Sequence, residues 1–431
     1  MSAALNNSLE ADLGETEVSD QSKASAFPET VQSGIPQLPD RPPIGWKRTP
    51  LSFDLYEEKR PVDMQDDEEY DLVTVKRGRN GVVKRERKYG ADISVKTQFE
   101  VKTGDFLISK RQIVHGACGI VPPELAGSTV SNEYAVLRSR GAIDLEFLKF
   151  LSHSVYFQQT CFHSSIGVHI EKMIFKTEKW LAWEFDLPPL AEQSRIAEII
   201  STWDRSIEAI EKLIANSQAQ KKALMQQLLT GKKRLPGFSG EWKSYKLSEL
   251  EDLGQVHLGR GNVISRKDIS STPGPYPIYS SSVKGGGLFG TYGNYMFEEE
   301  LITWSVDGGG DFFYRPKHKF SVTNVCGWMR LDTSAISYLF LAEQLKFLHS
   351  SLNFDYQMKA HPSVIRQVYV LGIPPLDEQR AIGETLMVAS LALVSLQSAL
   401  CRLKTEKTAL MQQLLTGKRR VKLSSTQEEA A

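Results

Sequence analysis

Cysteine is scarce in this chain: Cys118, Cys161, Cys326 and Cys401 lie far apart, with no CxxC among them. That spacing excludes a zinc ribbon and a disulfide framework and fits a reducing compartment. Net charge is missing too, since 52 basic residues balance 52 acidic ones. No global field can draw the molecule to nucleic acid, so any basic footprint has to be local. Signatures of phosphate binding and catalysis are also absent. Gly285, Gly287 and Gly290 spell GxGxxG, but serines precede them and Thr-Tyr-Gly-Asn follows, which is not the strand-to-helix setting of a dinucleotide site. Gly231-Lys232 and Gly417-Lys418 are followed by Lys and Arg, not Ser or Thr, and lack the upstream glycine of a phosphate loop. No Asn/Asp-Pro-Pro-aromatic methyltransferase motif occurs, no cluster of carboxylates or histidines proposes a nuclease centre, and His115 has no partner at metal spacing. These absences leave a recognition and assembly part with no catalytic residue, bound cofactor or metal of its own.

The chain does contain a duplication. The stretch LPPLAEQSRIAEII...KKALMQQLLTGK at Leu187 to Lys232 returns at Ile373 to Lys418 as IPPLDEQRAIGETL...KTALMQQLLTGK, every matched pair 186 positions apart. A repeat at fixed offset dictates architecture before any local reading, so the chain is two similar halves in tandem. Each Pro-Pro step can open a helix, because proline suits a first turn and not an interior. Ile196, Ile200, Trp203, Ile207, Ile210, Ile214, Ser217, Lys221, Leu224 and Leu228 then follow at 4-3-4-3 spacing, a heptad seam. The second copy repeats it from Ile382 to Leu414, with Lys407 at the place of Lys221. Thr-Gly at 230–231 and 416–417 closes each helix with the glycine that helix ends favour. About 40 residues make a rod on the order of 60 Å whose narrow stripe cannot be buried alone. The two rods are expected to pack on each other, antiparallel if a pseudo-twofold relates the halves; the alternative is that each folds back on its own domain.

One stretch imitates a membrane span. Thr385 to Cys401 has no charged residue over 17 positions. Ser390, Ser395, Gln397 and Ser398 interrupt it and its counterpart in the first copy is heavily charged, so it reads as a helix covered by more than one neighbour. The amino terminus carries no basic-then-apolar signal, which points to a cytoplasmic protein without a membrane partner.

The fold class expected is α+β, two globular domains alternating with two long helices packed as an antiparallel coiled coil. Its boundaries are a disordered, Ser-, Glu- and Pro-rich tail over 1–44, a domain over 45–186, a helix over 187–232, a second domain over 233–372, a helix over 373–418 and a disordered tail over 419–431. Trp242-Lys243 echoes Trp46-Lys47, and Val322-Thr323-Asn324 echoes Val130-Ser131-Asn132, at offsets of 196 and 192. The helices kept their register while the domains drifted, as expected when the domains carry specificity and the helices carry assembly.

Candidate nucleic-acid contacts lie in both domains. VKRGRNGVVKRERK at Val75–Lys88 holds Lys76, Arg77, Arg79, Lys84 and Arg85 around Asn80-Gly81, a hairpin-turn dipeptide, and Lys110-Arg111 ends a turn-strand-loop segment. In the second domain Arg260, Asn262, Arg266, Lys267 and Lys284 stand on glycine- and serine-rich loops, another loop runs Asp307 to Gly310, and Tyr314 to Phe320 interleaves Arg315, Lys317 and Lys319 with aromatics. Such side chains on flexible loops reach phosphates and base edges, although a charge run is more often a solvated face.

The repeated P-P-L-x-E-Q block, Pro188, Pro189, Leu190, Glu192 and Gln193 with Pro374, Pro375, Leu376, Glu378 and Gln379, together with the L-M-Q-Q-L-L-T-G-K endings, resembles the specificity (S) subunit of type I restriction-modification enzymes from about Trp46 onward. The long tail before Trp46 departs from the usual form. The resemblance implies two target recognition domains, each reading one half of a split, asymmetric site in double-stranded DNA. It implies two modification (methyltransferase) subunits that bring S-adenosylmethionine chemistry to adenine, and restriction subunits that use ATP and Mg to translocate and cleave in phage defence. The rods would then act as a ruler between half-sites on one face of the duplex. Alternatives are a specificity subunit of a modification-only system, a diverged single-chain methyltransferase or nuclease, and a structural coiled-coil adaptor.

Overall fold

The computed structural model describes residues 37–282, 284–306, 311–352 and 359–423, apart from the side chain of Lys284. Of the tails expected over 1–44 and 419–431, residues 1–36 and 424–431 lie outside the described residues, as does the Asp307–Gly310 loop. Over what is described, one compact unit comprises residues 37–208 and 402–423 and the other residues 209–401.

In the first unit a four-stranded sheet runs in the order Leu55–Glu57, Tyr134–Ser139, Phe106–Ser109, Cys118–Ile120. A five-stranded sheet runs Pro61–Val62, Gln98–Glu100, Thr129–Ser131, Glu69–Val75, Val82–Tyr89. Phe106-Leu107-Ile108-Ser109 is buried throughout because its alternating side chains serve two cores. Phe106 and Ile108 join Ala135, Leu137, Phe147, Phe157, Trp180 and Phe185 on one face, while Leu107 and Val136 join Val73, Val75, Val82 and Val130 on the other. Helices Leu145–Leu151 and Val155–His163 cover the first face, their N-termini capped by the side chains of Asp144 and Ser154. Strand Lys47–Pro50 pairs with Glu184–Leu187, Lys47 opposite Leu187, and so closes the domain just before the first long helix begins.

The second unit is built on one six-stranded sheet, Val256–Arg260, Cys326–Leu331, Phe297–Ser305, Phe312–Val322, Tyr276–Tyr279, Leu288–Tyr292. Trp304 stacks on Phe312 at 5.8 Å between centroids and donates its indole N–H to the Ala360 carbonyl. Strand Lys243–Lys246 pairs with Val370–Ile373, Lys243 opposite Ile373, the same closure ahead of the second long helix.

The long helices are Leu190–Leu228 and Leu376–Leu414, 39 residues each. Trp203, Ile207, Ile210, Ile214, Ser217 and Lys221 are half-buried, and from Arg205 to Ala223 every residue off that seam is exposed. One narrow stripe therefore carries the contact, as the heptad spacing predicts. In the first unit Ile196 and Ile200 pack with Met411, Leu414 and Leu415, and Asp204 accepts from Lys407 Nζ at 2.5 Å. In the second, Leu228 and Leu229 pack with Ile382 and Leu386. The start of each helix lies against the end of the other, so the segments pair antiparallel in each unit.

Leu376–Leu414 is long and apolar enough to cross a membrane. Its seam accounts for that apolarity: Ile382 and Leu386 are buried beside Leu228, and Ala389, Leu393, Leu396 and Leu400 continue half-buried along the same stripe. Cover by a further neighbour, Phe340, is seen only near Ile382 and Leu386; beyond them Val388 is 66% exposed.

Two local readings change. The hairpin at Glu69–Tyr89 forms, with Val75 opposite Val82, but Asn80-Gly81 is not a two-residue turn. Residues 76–81 make a wider tip in which Gly78, Arg79 and Gly81 all have positive φ. Tyr314–Phe320 is not a loop but the middle of strand Phe312–Val322.

Burial also sets the thiol chemistry. Cys118, Cys161 and Cys326 are buried, which pushes the Cys118 thiol up to about 11, Cys326 up to about 12 and Cys161 well above its usual value, whereas Cys401 is exposed. A thiol-disulfide reagent at about pH 8 is expected to label one of the four thiols rapidly in the folded protein and all four in denaturant. Rapid labelling of two or more without denaturant would contradict this burial.

Candidate nucleic-acid interface

The basic hairpin of the first domain is largely neutralised by its own sheet. Lys84 and Arg87 both bind Asp71 on the paired strand, at 2.8 and 2.7 Å, and hold its carboxyl well below the usual carboxylate range. Arg85 and Lys88 share Glu86. At the tip, Arg77 donates to Gln112 at 2.7 Å and to Glu171 at 2.9 Å. Arg79 turns inward: its Nε donates to the Ser152 carbonyl at 2.9 Å, and burial lowers its pKa. The tip is thus fastened to the body of the domain, and Arg79 is a packing residue, not a probing one. Lys76 is exposed, as is β-edge residue Lys84 in large part; Lys110 binds Glu57 at 3.0 Å and Arg111 binds Glu133 at 2.5 Å.

Lys110 belongs to a cleft of about 470 Å³ that sequence reasoning missed. Lys59, Lys110, Lys176 and Lys179 rim it with Glu57 and Glu178, and Asn132 and Tyr134 line it. Residues scattered over 57–179 give no composition signal; only the fold gathers them.

In the second domain two of the glycine-rich segments converge on the Val322–Asn324 turn. The Asn262 N–H donates to the Val322 carbonyl at 3.1 Å, Thr323 N–H to the Tyr279 carbonyl at 2.9 Å, and Thr323 Oγ1 to Ser280 Oγ at 2.9 Å. The Arg260 guanidinium donates to the Asn324 carbonyl, Nε at 2.9 Å. Arg315 is 9% exposed. It donates to Thr303 Oγ1 at 3.0 Å and to the Gly286 carbonyl, and stacks on the Tyr279 ring at 3.6 Å. It is buried and held between Tyr279 and Gly286, not free on the surface. Arg266 and Lys267 are exposed on helix Arg266–Ser271, whose N-cap is Ser265. Lys317 is exposed and Lys319 lies 4.7 Å from the Tyr295 ring centre; the side chain of Lys284 lies outside the described residues.

The family of the type I restriction modification DNA specificity domain matches this chain twice, at residues 56–217 and 240–394. The chain belongs to that family. The type I restriction enzyme MpnII specificity subunit of Mycoplasma pneumoniae is 29% identical over 148 residues, 33% of this chain and 43% of its own. The fold is shared with the type I restriction-modification S subunit of M. genitalium (TM-score 0.60, 14% identity, 91% of this chain and 100% of the other). It is shared too with the HsdS subunit of Thermoanaerobacter tengcongensis (TM-score 0.50, 18% identity, 89% and 100%).

As a type I specificity subunit, the chain shows what its repeated Glu-Gln does. Gln193 accepts from the Asp144 N–H at 2.9 Å and donates to the carbonyls of Ala142 and Pro188 at 3.0 and 2.9 Å. Gln379 makes the same three bonds to Ser337, Ala335 and Pro374. Each glutamine locks its helix to its own specificity domain. Glu192 is 2% and Glu378 0% exposed, and each binds the arginine that closes the other copy: Glu192 with Arg420, 2.6 and 2.7 Å, and Glu378 with Arg234. Residues 419–423 are accordingly not a free tail where they are described: Arg420 is held here, and Val421 packs on the first core. Arg234 and Arg420 are themselves 186 apart, just past the LMQQLLTGK endings, a matching that sequence reasoning passed over.

Proposed function

We propose that each specificity domain of this chain reads one half of a bipartite, asymmetric site in double-stranded DNA, while the length of the two long helices sets the number of unread base pairs between the halves. Two modification subunits dock on the chain and methylate adenine with S-adenosylmethionine; restriction subunits add ATP- and Mg-dependent translocation and cleavage. The chain itself contributes recognition and assembly only. One observation carries this reading: two copies of the specificity domain hang from matched glutamine locks and reciprocal Glu–Arg pairs, yet present different polar surfaces, a lysine-rimmed cleft in one and a convergence of glycine-rich loops in the other. An invariant frame with unlike readers suits an asymmetric target.

The test is methylome sequencing of cells that express the chain with a modification subunit. Replacing residues 45–185 with the corresponding domain of another such protein is expected to change one half-site and leave the other half and the spacing intact. A change in both halves would sink the modular reading. Methylation by the purified chain alone, given S-adenosylmethionine and DNA, would show an enzyme instead.

A further inference from the structure

Although the two specificity domains have drifted apart, one turn is built the same way in both. In the first, Ser131-Asn132-Glu133 joins strands Thr129–Ser131 and Tyr134–Ser139; in the second, Thr323-Asn324-Val325 joins Phe312–Val322 and Cys326–Leu331. The residue after the asparagine is fixed by the strand alongside: Lys110 N–H donates to the Glu133 carbonyl at 2.8 Å, and Val306 N–H to the Val325 carbonyl at 3.0 Å. The asparagine's own carbonyl is held by a basic side chain from another segment, Lys110 Nζ on Asn132 at 3.3 Å and Arg260 Nε on Asn324 at 2.9 Å. The clamping cations differ and come from different places in the fold, but the clamped group is the same.

Nothing in the local backbone asks for asparagine at these positions. Arg79 is the only described non-glycine residue with positive φ, so neither turn uses the left-handed conformation that asparagine tolerates. Neither side chain caps the turn: both are exposed, and neither amide makes a hydrogen bond among the described residues. Each therefore projects a donor and an acceptor from a backbone fixed on both sides, beside Lys59, Lys110 and Lys176 in one domain and Arg260 in the other. A carboxamide held that way suits the N7 acceptor and N6 donor of adenine in the major groove, with the neighbouring cations placed for phosphates.

We propose that Asn132 and Asn324 are base-reading residues, each hydrogen-bonding an adenine edge in the half-site of its own domain. This rests on the DNA-reading function above. The test is methylome sequencing with the full chain and its modification partner, using Asn132→Ala, Asn324→Ala and Asn132→Asp, with thermal melting to show that each variant folds. Each alanine variant is expected to lose roughly ten- to a hundred-fold discrimination at a single adenine-bearing position. That position lies in one half-site for Asn132→Ala and in the opposite half-site for Asn324→Ala. Asn132→Asp, which replaces the amide donor by an acceptor, is expected to disfavour adenine at the position that the alanine variant relaxes. Unchanged motifs from both folded alanine variants, or one variant altering both halves, would overturn the assignment while leaving the DNA-reading function standing. No methylation from the unaltered subunits would overturn that function and the assignment with it.

Discussion

A half-length version of this chain, residues 37–240, is expected to sediment at twice its own mass and, with the modification subunit, to direct methylation to a palindrome made of the half-site read by the first domain. The expectation follows from which residues meet. In the first unit, Ile196 and Ile200 pack against Met411, Leu414 and Leu415, Asp204 binds Lys407, and Glu192 binds Arg420. The half chain carries an identical set 186 positions earlier, Met225, Leu228, Leu229, Lys221 and Arg234. A second copy can therefore supply every one of those partners. Gly231 would take the place of Gly417, whose positive φ and lack of a side chain leave room for Pro43 and Trp46. Bringing Glu192 to Arg234 and Asp204 to Lys221 places the twofold axis near Ile210 and Ile214, which are seam residues and can face their own copies. Arg234→Glu should return the half chain to a monomer, and adding Glu192→Lys should restore the dimer. A half chain that stays monomeric at every concentration reached would show that the two helices' unlike middles, and not the shared ends, hold the pair together.

Those partners also show what was legible in the sequence. The repeat, the heptad seam and both 39-residue helices could be read because identity at a fixed offset and a 4-3 period are properties of the chain itself. The Glu-Gln block was visible as a matched motif, yet its task was not, since Glu192 meets an arginine 228 positions away. Charge misled for the same reason. The Val75–Lys88 run looks like a free basic finger until the strand before it contributes Asp71 to Lys84 and Arg87 and the fold turns half-buried Arg79 onto the Ser152 carbonyl. Arg315, read among exposed bases and aromatics, lies inside the sheet with Thr303. Composition records which charges are present, and only the tertiary pairing decides which of them remain available to a ligand.

The reciprocal Glu–Arg pairs make a second prediction in which the two partners are unequal. Glu192 is 2% exposed in its side chain and Arg420 43%. Removing the arginine strands a carboxylate that water cannot reach, whereas neutralising the glutamate leaves a guanidinium that solvent can still hydrate. Arg420→Ala is therefore expected to destabilise the first unit by about 3 kcal/mol, the low end for breaking a buried pair because one partner stays partly wet. Glu192→Gln, which keeps an acceptor for the same donor, should cost only about 1 kcal/mol. For a unit of this size Arg420→Ala corresponds to a fall of about 6–12 °C in its melting transition. The double variant should be milder than Arg420→Ala alone, because the stranded charge is gone. Trp180, buried in the core of the first unit, offers one fluorescent reporter for it, read against calorimetry that resolves the two units. Equal losses from the two single variants, or a double variant worse than their sum, would mean that Glu192 is held by its hydrogen bonds and surroundings more than by the charge that closes the other repeat.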